Sequence, residues 1–384
     1  MKLSIIVPVY NMAEGGKLNY CLDSLVNQTM PEGSYEIIAV DDYSSDESYD
    51  ILKGYEDRFP GKFIAIHSDV NLHQGGVKNI GLSIAKGEWL GFIDADDWIV
   101  PDYYERLIRK AEETGADMVG CDYSLTDEHS FKVGKVVHNN TKEQTGVLDT
   151  DKYKKLMIDS GSLVVKVYRR EIIVGDYVPE DRTRTENGTL PVSKCQGANE
   201  DLQGKTDNKT CRNPNKLSIF PENIFYEDNA VSNTWMIRAK HFEYIEEPLY
   251  FYYQHDSSTV HSISLKNLED RETAGRLLVE NAKKEGYFEQ YKTEIEFQYT
   301  VLFYINTLFS AMPKKYKVKG CYNFCKALAK EMKETFPGFQ DNPYYKDRIH
   351  PEEQKLIKYQ MKSHLMFYVY YRLLWFYRDL RNRK

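Results

Sequence analysis

The chain has 384 residues, with 51 basic and 58 acidic side chains and a net charge of −7. That length allows two or three domains with a sizeable core, and the absence of a basic excess argues against nucleic acid as a partner. No apolar run of about 18 residues occurs, so no spanning helix is expected; Met1-Lys2-Leu3-Ser4 leads straight into an apolar run with no signal-peptide core, so a cytoplasmic location is expected.

Leu3-Ser4-Ile5-Ile6-Val7-Pro8-Val9 reads as a buried strand. Leu18, Cys21, Leu22, Leu25 and Val26 form one stripe of a helix over 17–28. Tyr35 to Val40 is a second strand, ending in Asp41-Asp42, and Ser45 or Asp46 caps a helix through about 57. Phe63 to His67 is a third strand. A glycine-containing loop leads to a helix over about 76–86, and 88–93 is a fourth strand. A helix over 102–115 and a strand at Asp117 to Cys121 follow. Near-continuous apolar strands alternating with amphipathic helices predict an α/β fold: a mostly parallel, Rossmann-like sheet with helices on both faces.

Ligands on such sheets bind outside the carboxyl ends of the strands. The polar signals fall there: Tyr10-Asn11 after the first strand, Asp41-Asp42 after the second, and Asp94-Ala95-Asp96-Asp97 after the fourth. Three carboxylates in four residues repel one another, and burial raises their pKa values unless a positive charge neutralises them. The spacing of two puts Asp94 and Asp96 on one side of an extended chain. A divalent cation shared with a diphosphate is one explanation. An acidic cap on the following helix is the other. Neither a P-loop nor a G-x-G-x-x-G turn is present, so a bound diphosphate would need such a cation.

Residues 126–138 read as a hairpin or loop, and Val164 to Tyr168 as a short strand followed by Arg169-Arg170. Residues 179–215 are polar and read as an inserted surface loop. Phe225-Tyr226-Glu227-Asp228-Asn229 opens a helix to about Ala239, and strands at 242–246 and 249–254 follow. Beyond 265, helical periodicity recurs near 266–285, 288–311, 317–335, 352–361 and 363–381. The expected organisation is therefore a domain at 1–262, with halves at about 1–125 and 126–262, and an α-helical C-terminal domain at 263–384. The six cysteines give no disulfide framework; Cys321 and Cys325, one turn apart, suggest packing, and a bridge between Cys195 and Cys211 is not expected in a cytoplasmic chain. The sequons at Asn139, Asn187 and Asn208 matter only in a secretory pathway.

These blocks, in this order, resemble the family-2 glycosyltransferases of the GT-A fold, of the bacterial capsule, exopolysaccharide and lipopolysaccharide type. The resemblance spans roughly residues 3–260. It rests on Ser4 to Asn11, Val40 to Asp46, Asn71 to Gly81 with Ala85-Lys86-Gly87-Glu88, and Phe92 to Trp98. Lys166 to Arg170, Phe220-Pro221-Glu222, Tyr226 to Asn229, and Tyr252 to His255 with Ser257-Ser258-Thr259 complete it. It implies that Pro8, Val9, Tyr10, Asp42, Asp94 and Ala95 hold a nucleotide-sugar, with Asp42 accepting from the uracil imide of a UDP-sugar. It implies Mn²⁺ or Mg²⁺ on Asp96, with Asp94 beside it, and Asp228 as the catalytic base. Glu227 is expected to orient the acceptor or Asp228. Lys166, Arg169 and Arg170 face the diphosphate or an anionic acceptor, or form an ordinary surface cluster. His255 is an auxiliary acceptor-side residue. The family often has an arginine where this chain has Lys78; lysine keeps the charge but loses the planar fork, so His73 is an added candidate there.

The function implied is inverting, metal-dependent sugar transfer to a glycan or lipid-linked glycan in surface-polysaccharide synthesis. The leaving diphosphate needs its charge stabilised and the acceptor hydroxyl needs a base. A catalytically silent sugar-nucleotide or glycan-binding module on the same fold is the alternative. A nucleotidylyltransferase would need a glycine-rich basic loop, which Asn11 to Lys17 imitates only faintly. Residues 363–384 are aromatic-rich with five basic residues from 372 onward. Such a helix suits peripheral contact with the inner face of the plasma membrane, or packing on the enzyme or on a second subunit.

Overall fold

The computed structural model describes residues 1–177, 217–255, 264–312 and 320–382. The polar segment 179–215, Cys195, Cys211, the sequons at Asn187 and Asn208, and Ser257-Ser258-Thr259 lie outside the described residues. The chain forms two compact units: Met1–Tyr153, Asp159–Asn223 and Trp235–His255 in one, and Lys154–Ile158, Ile224–Thr234 and Asp256–Lys384 in the other.

Up to His255 the elements run β1 (Leu3–Val9), α1 (Lys17–Val26), β2 (Tyr35–Asp41), α2 (Ser48–Arg58), β3 (Phe63–His67), α3 (His73–Ile84), β4 (Trp89–Phe92) and β5 (Trp98–Ile99). They continue through α4 (Tyr103–Thr114), β6 (Met118–Thr126), β7 (Lys135–Val137), β8 (Gly146–Val147), α5 (Thr150–Ile158), β9 (Lys166–Arg169), α6 (Arg170–Val174), α7 (Ser232–Arg238) and β10 (His241–Tyr253). The strands form one sheet in the order β3-β2-β1-β4-β9-β6-β10-β5, with β7 on β6 and β8 on β10. The first four are parallel, and so are β6 and β10. β9 runs antiparallel to both β4 and β6, so the sheet is mixed. All seven residues of β1 and all seven of β2 are buried. That is why their sequences read as unbroken apolar runs rather than alternating ones.

Close packing fixes the turn from α3 into β4. Gly87 faces the backbone of β1, where a Cβ would lie 2.3 Å from the Ser4 nitrogen. Its N–H donates to Ser4 Oγ at 2.7 Å, and Ser4 in turn donates to the buried Glu36 at 2.6 Å. Any side chain at position 87 would break this clasp.

Several boundaries differ from the sequence expectation. α3 starts three residues early, because the Asp42 carboxylate receives the Leu72 N–H at 2.6 Å and pins the entry to the helix. The two strands expected at 242–246 and 249–254 are one strand, β10, whose register against β6 shifts around Pro248. Pro248 lacks a donor and is accommodated at this irregularity. The hairpin at 126–138 is present, with β7 pairing residues Tyr123 to Leu125 of β6.

The second unit is helical past residue 264: α8 (Leu265–Lys284), α9 (Lys292–Tyr299), α10 (Thr307–Ala311), α11 (Cys321–Thr335), α12 (Pro343–Arg348), α13 (Pro351–Lys362) and α14 (His364–Asn382). The stretch expected as one helix over 288–311 is α9 and α10 joined by a π-helical segment at Thr300–Asn306. Such widening is a local insertion in the α ladder. Cys321 and Cys325 are buried free thiols, as packing residues would be. Asn342 caps α12, and His350 caps α13; each is followed by proline in the first turn.

Candidate active site

The parallel strands all end at one edge of the sheet. β2 pairs with β1 along its whole length, from Leu3↔Tyr35 to Val9↔Asp41, whereas β4 stops at Ile6↔Phe92. The Ile6 carbonyl accepts from Ile93, while the Val9 carbonyl accepts from Asp42. Pro8, two residues after Ile6, therefore turns its donorless edge toward the side where β4 has already ended. No ladder bond is lost, and a crevice opens between β1 and β4. With β2 on one side of β1 and β4 on the other, this is the switch point of the sheet.

On the β2–β3 side of the crevice, the two neighbouring aspartates face different surroundings. Asp41 is fully buried; its Oδ2 lies 2.7 Å from His67 Nδ1 and accepts from the Ser44 N–H at 3.1 Å. Asp42 is 4% exposed, and burial, the largest influence, pushes its carboxyl up to about 6. The Leu72 and His73 N–H groups pull the other way, and the Asp41 charge adds to the rise. Asn11, Tyr43 and His73, which follow β1, β2 and β3, all have left-handed backbones with φ of 51°, 61° and 58°. Left-handed backbone is unusual outside glycine, and strained positions of this kind concentrate at functional sites. The Asn11 side chain bridges two of these turns by accepting from the Ser45 N–H at 2.8 Å. Pro8, Val9 and Ala95 are buried, while Tyr10 is half exposed at the rim.

The acidic cluster divides into three roles. The Asp94 carbonyl accepts from the Cys21 thiol and from the Asp97 N–H, which turns the chain back on itself. Asp96 Oδ2 lies 2.9 Å from His255 Nε2, joining the end of β4 to the residue beyond β10. Asp97 is buried and accepts from the Tyr250 hydroxyl and the Tyr253 N–H. Burial holds its carboxyl well above the usual range, and the Asp96 and Asp94 charges push the same way. The helix-cap explanation for Asp97 does not hold, since β5 follows it and its partners are on β10. Asp97 fastens the loop that presents Asp96.

The other expected residues are placed as follows. Lys78 is buried in α3, its Nζ 3.3 Å from Gln74 Oε1 and 5.3 Å over the Phe220 ring. Next to it, Asn79 accepts from the Ile219 and Phe220 N–H groups and donates to the Phe220 carbonyl, which ties the Phe220 block to α3. Lys166 turns inward: it is 2% exposed and donates to the Ser160 and Ser162 carbonyls at 2.9 and 2.7 Å. Burial pulls it down to about 7. Those carbonyls are the partners the fold gives it. Arg169 pairs with Glu88 at 3.0 Å and lies over the Trp89 ring, and Arg170 donates to the Tyr177 carbonyl. Both lie beside the start of β4, at the edge opposite the crevice.

Glu227 and Asp228 belong to the second unit. Asp228 lies in the turn before α7, and its Oδ1 accepts from the Asn229 N–H and side-chain amide at 2.8 Å each. Its carbonyl accepts from Val231 and Ser232, so the turn is held by backbone bonds. α8 fastens it further: Asp270 accepts from the Phe225 N–H, and Arg271 donates to the Tyr226 hydroxyl.

Residues 4–173 match the model of glycosyl transferase family 2. EpsH of Bacillus subtilis (strain 168), named as a glycosyltransferase, is 31% identical over 301 residues, which is 76% of this chain and 74% of EpsH. YibD of Escherichia coli (strain K12), named as an uncharacterized glycosyltransferase, is 25% identical over 273 residues, 70% of this chain and 66% of YibD. Among solved structures, S. aureus TarS 1–349 in complex with UDP-GlcNAc superposes with a TM-score of 0.63 at 17% identity, covering 99% of this chain and 92% of that one. A sheet crevice flanked by paired aspartates, the acidic turn that closes it, and a relative aligned over three quarters of the chain lead to one conclusion: the chain belongs to glycosyl transferase family 2 and has the GT-A fold.

Proposed function

We propose that the chain moves a sugar, with inversion, from a UDP-sugar to a hydroxyl of a glycan or lipid-linked glycan during surface-polysaccharide synthesis. The observation that carries this reading is the Asp96–His255 contact at 2.9 Å, beside the crevice between β1 and β4. A carboxylate oxygen and an imidazole nitrogen are donors that suit a divalent cation, and the nitrogen favours Mn²⁺ over Mg²⁺. Among the described residues no group of three or more His, Cys, Asp or Glu side chains gathers into a metal site. Diphosphate oxygens and water would therefore complete the coordination, as such cations commonly arrange. The cation, when bound, stabilises the charge that develops on the departing diphosphate. Asp94 supports the same turn.

The remaining roles fall to the chain's own residues. Asp42 accepts from the uracil imide, and Pro8, Val9 and Tyr10 line the base; TarS holding UDP-GlcNAc supports uridine as the nucleoside. Lys78 and Ala95 complete the donor site. Asp228 takes the proton of the acceptor hydroxyl as that oxygen bonds to the anomeric carbon. The bond from that carbon to the diphosphate breaks, and its electron pair leaves with the diphosphate. Glu227 orients Asp228 or the acceptor, and His255 serves the cation. Residues 1–125 form the nucleotide half, 126–262 the acceptor half and 263–384 the helical domain. α14 carries an exposed apolar stripe, which suits contact with the inner face of the plasma membrane.

The test is a donor screen by thermal stabilisation, across UDP-, GDP- and dTDP-sugars with Mn²⁺ or with chelator. A UDP-sugar should stabilise the protein most, and only with Mn²⁺. No stabilisation by any nucleotide-sugar would overturn the reading.

A further inference from the structure

The β4–β10 junction has two flanks. The nucleotide reading occupies the flank toward β1, β2 and β3. The other flank is built from β10, β5 and the β6–β7 hairpin. β6 and β10 are parallel, so the hairpin loop after Thr126 and the residues after Tyr253 emerge at one edge.

That flank is a continuous aromatic surface starting at the cation pair. His255, which touches Asp96, lies 5.2 Å from the Tyr253 ring; Tyr253 lies 4.4 Å from His129, and His129 stacks on Tyr20 at 4.0 Å with planes 21° apart. The outer members face solvent: Tyr20 is 48% and Phe131 55% exposed. The hairpin loop that holds His129 and Phe131 is fixed. The Trp98 indole N–H donates to the Ser130 carbonyl at 3.1 Å, the Gly134 N–H donates to Ser124 Oγ at 2.7 Å, and Phe131 meets Phe251 edge-on at 5.6 Å. Flat, rigid, half-exposed aromatic rings in register with a catalytic crevice are a binding surface.

We propose that Tyr20, backed by His129, and Phe131, backed by Phe251, form the subsite for a pyranose ring of the acceptor glycan. This rests on the sugar-transfer reading above. An acceptor hydroxyl must reach the anomeric carbon beside the diphosphate, so the rest of the acceptor runs away from the nucleotide, across this flank. A pyranose offers a face of C–H groups that packs on an aromatic ring, while its hydroxyls stay in water. Glu128 and Lys132 of the same loop pair with each other at 3.7 Å, and the ring faces between such charges fit a sugar's C–H face better than a phosphate. Every residue of the platform belongs to the first unit.

The test is saturation-transfer NMR on the full chain, with the methyl glycosides of glucose, galactose, mannose and N-acetylglucosamine as probes. UDP and Mn²⁺ are added to fill the donor site. The wild type should transfer saturation to the ring C–H protons of at least one probe. Tyr20→Ala and Phe131→Ala should each weaken that probe roughly two- to tenfold, the scale of one aromatic contact. Tyr20→Phe should keep the affinity, which separates stacking from hydroxyl bonding. UDP affinity should be unchanged in all three variants. No transfer to any probe in the wild type, or equal transfer in folded Tyr20→Ala and Phe131→Ala, overturns the proposal. If UDP fails to bind, the donor reading fails instead, and the sugar titration without UDP still decides this one. Both changed side chains are half exposed, so loss of fold is not expected and circular dichroism checks it.

Discussion

Asp96 and His255 touch at 2.9 Å although 159 positions separate them in the chain. One ends the acidic turn after β4 and the other follows β10, so the contact exists only once the mixed sheet has closed. Asp97 secures it from below by gripping Tyr250 and Tyr253 of β10. Asp96→Ala should therefore lose Mn²⁺-dependent UDP affinity by at least about tenfold, the scale of one charge-assisted contact. His255→Ala should lose it to a lesser degree. Isothermal titration of UDP, with Mn²⁺ and with chelator, measures both. An unchanged Mn²⁺ increment in Asp96→Ala removes it from the cation site.

Burial disfavours the charge of Asp42 and pushes its carboxyl up to about 6 in the folded chain, against about 3.9 for an unfolded one. Between those values the folded state holds more protons, so this group's contribution to stability falls as pH rises through the window. The donor recognition proposed for Asp42 runs in the opposite direction, since an imide N–H favours the ionised acceptor. Uridine, which carries no phosphate, should bind the wild type more weakly as pH drops below about 6. Asp42→Asn should bind weakly at every pH and show a flatter stability profile. NMR titration of uridine at pH 5 and 7 gives the first, and urea midpoints across the same range give the second. Equal pH dependence in wild type and variant would exclude Asp42 from base recognition.

The strands that carry the crevice were legible because β1, β2 and β4 are buried on both faces and so have unbroken apolar sequences. Strand-end polar groups then fell at one edge by topology alone. Other features depended on tertiary partners. Lys166 reads with Arg169 and Arg170 as a charge for a diphosphate or anionic acceptor, or as part of a surface cluster, but a strand alternates its side chains, and position 166 faces inward to the Ser160 and Ser162 carbonyls. Without the resemblance, Asp41 and Asp42 are both simply polar groups at the end of a strand. Alternation sends one to His67 and the other to the Leu72 N–H. The sequence reads as two strands, at 242–246 and 249–254, yet the β6 partner carries β10 past Pro248 as an irregularity. The His255 contact and the aromatic flank had no local signal, because their members come from α1, β5, the β6–β7 hairpin and β10.

The role proposed for Asp228, taking the acceptor proton, is separable from donor binding. Replacing it with asparagine keeps the shape and one oxygen acceptor for the Asn229 groups, so the turn before α7 should persist. UDP affinity should stay within about twofold, while sugar transfer drops by at least about 10²-fold, the usual contribution of a positioned base. The measurement is initial-rate transfer beside UDP titration on the same preparation. Near-normal transfer assigns the proton to another group.

α14 presents two faces of different character. Phe367 and Tyr371 are buried, and the Tyr371 hydroxyl donates to the Met312 carbonyl. Leu365, Val369, Leu373, Phe376 and Leu380 are exposed, at intervals of three or four residues that make one stripe. Arg372 and Arg378 lie on the same helix, and three further basic residues follow by the end of the sequence. An apolar stripe beside basic side chains suits an anionic bilayer surface, where both terms favour binding. No described helix is long and apolar enough to cross a membrane, so the contact would be interfacial. Leu373→Glu with Phe376→Glu changes only exposed positions and leaves the Phe367–Tyr371 face intact. Each lost apolar contact is worth about 1.5–3 kcal/mol when fully inserted, so co-sedimentation with phosphatidylglycerol vesicles should fall by more than about tenfold. Added salt should weaken the wild type as well, by screening the basic side chains. Equal binding of the two proteins, or negligible binding of both, would leave the stripe without a membrane role.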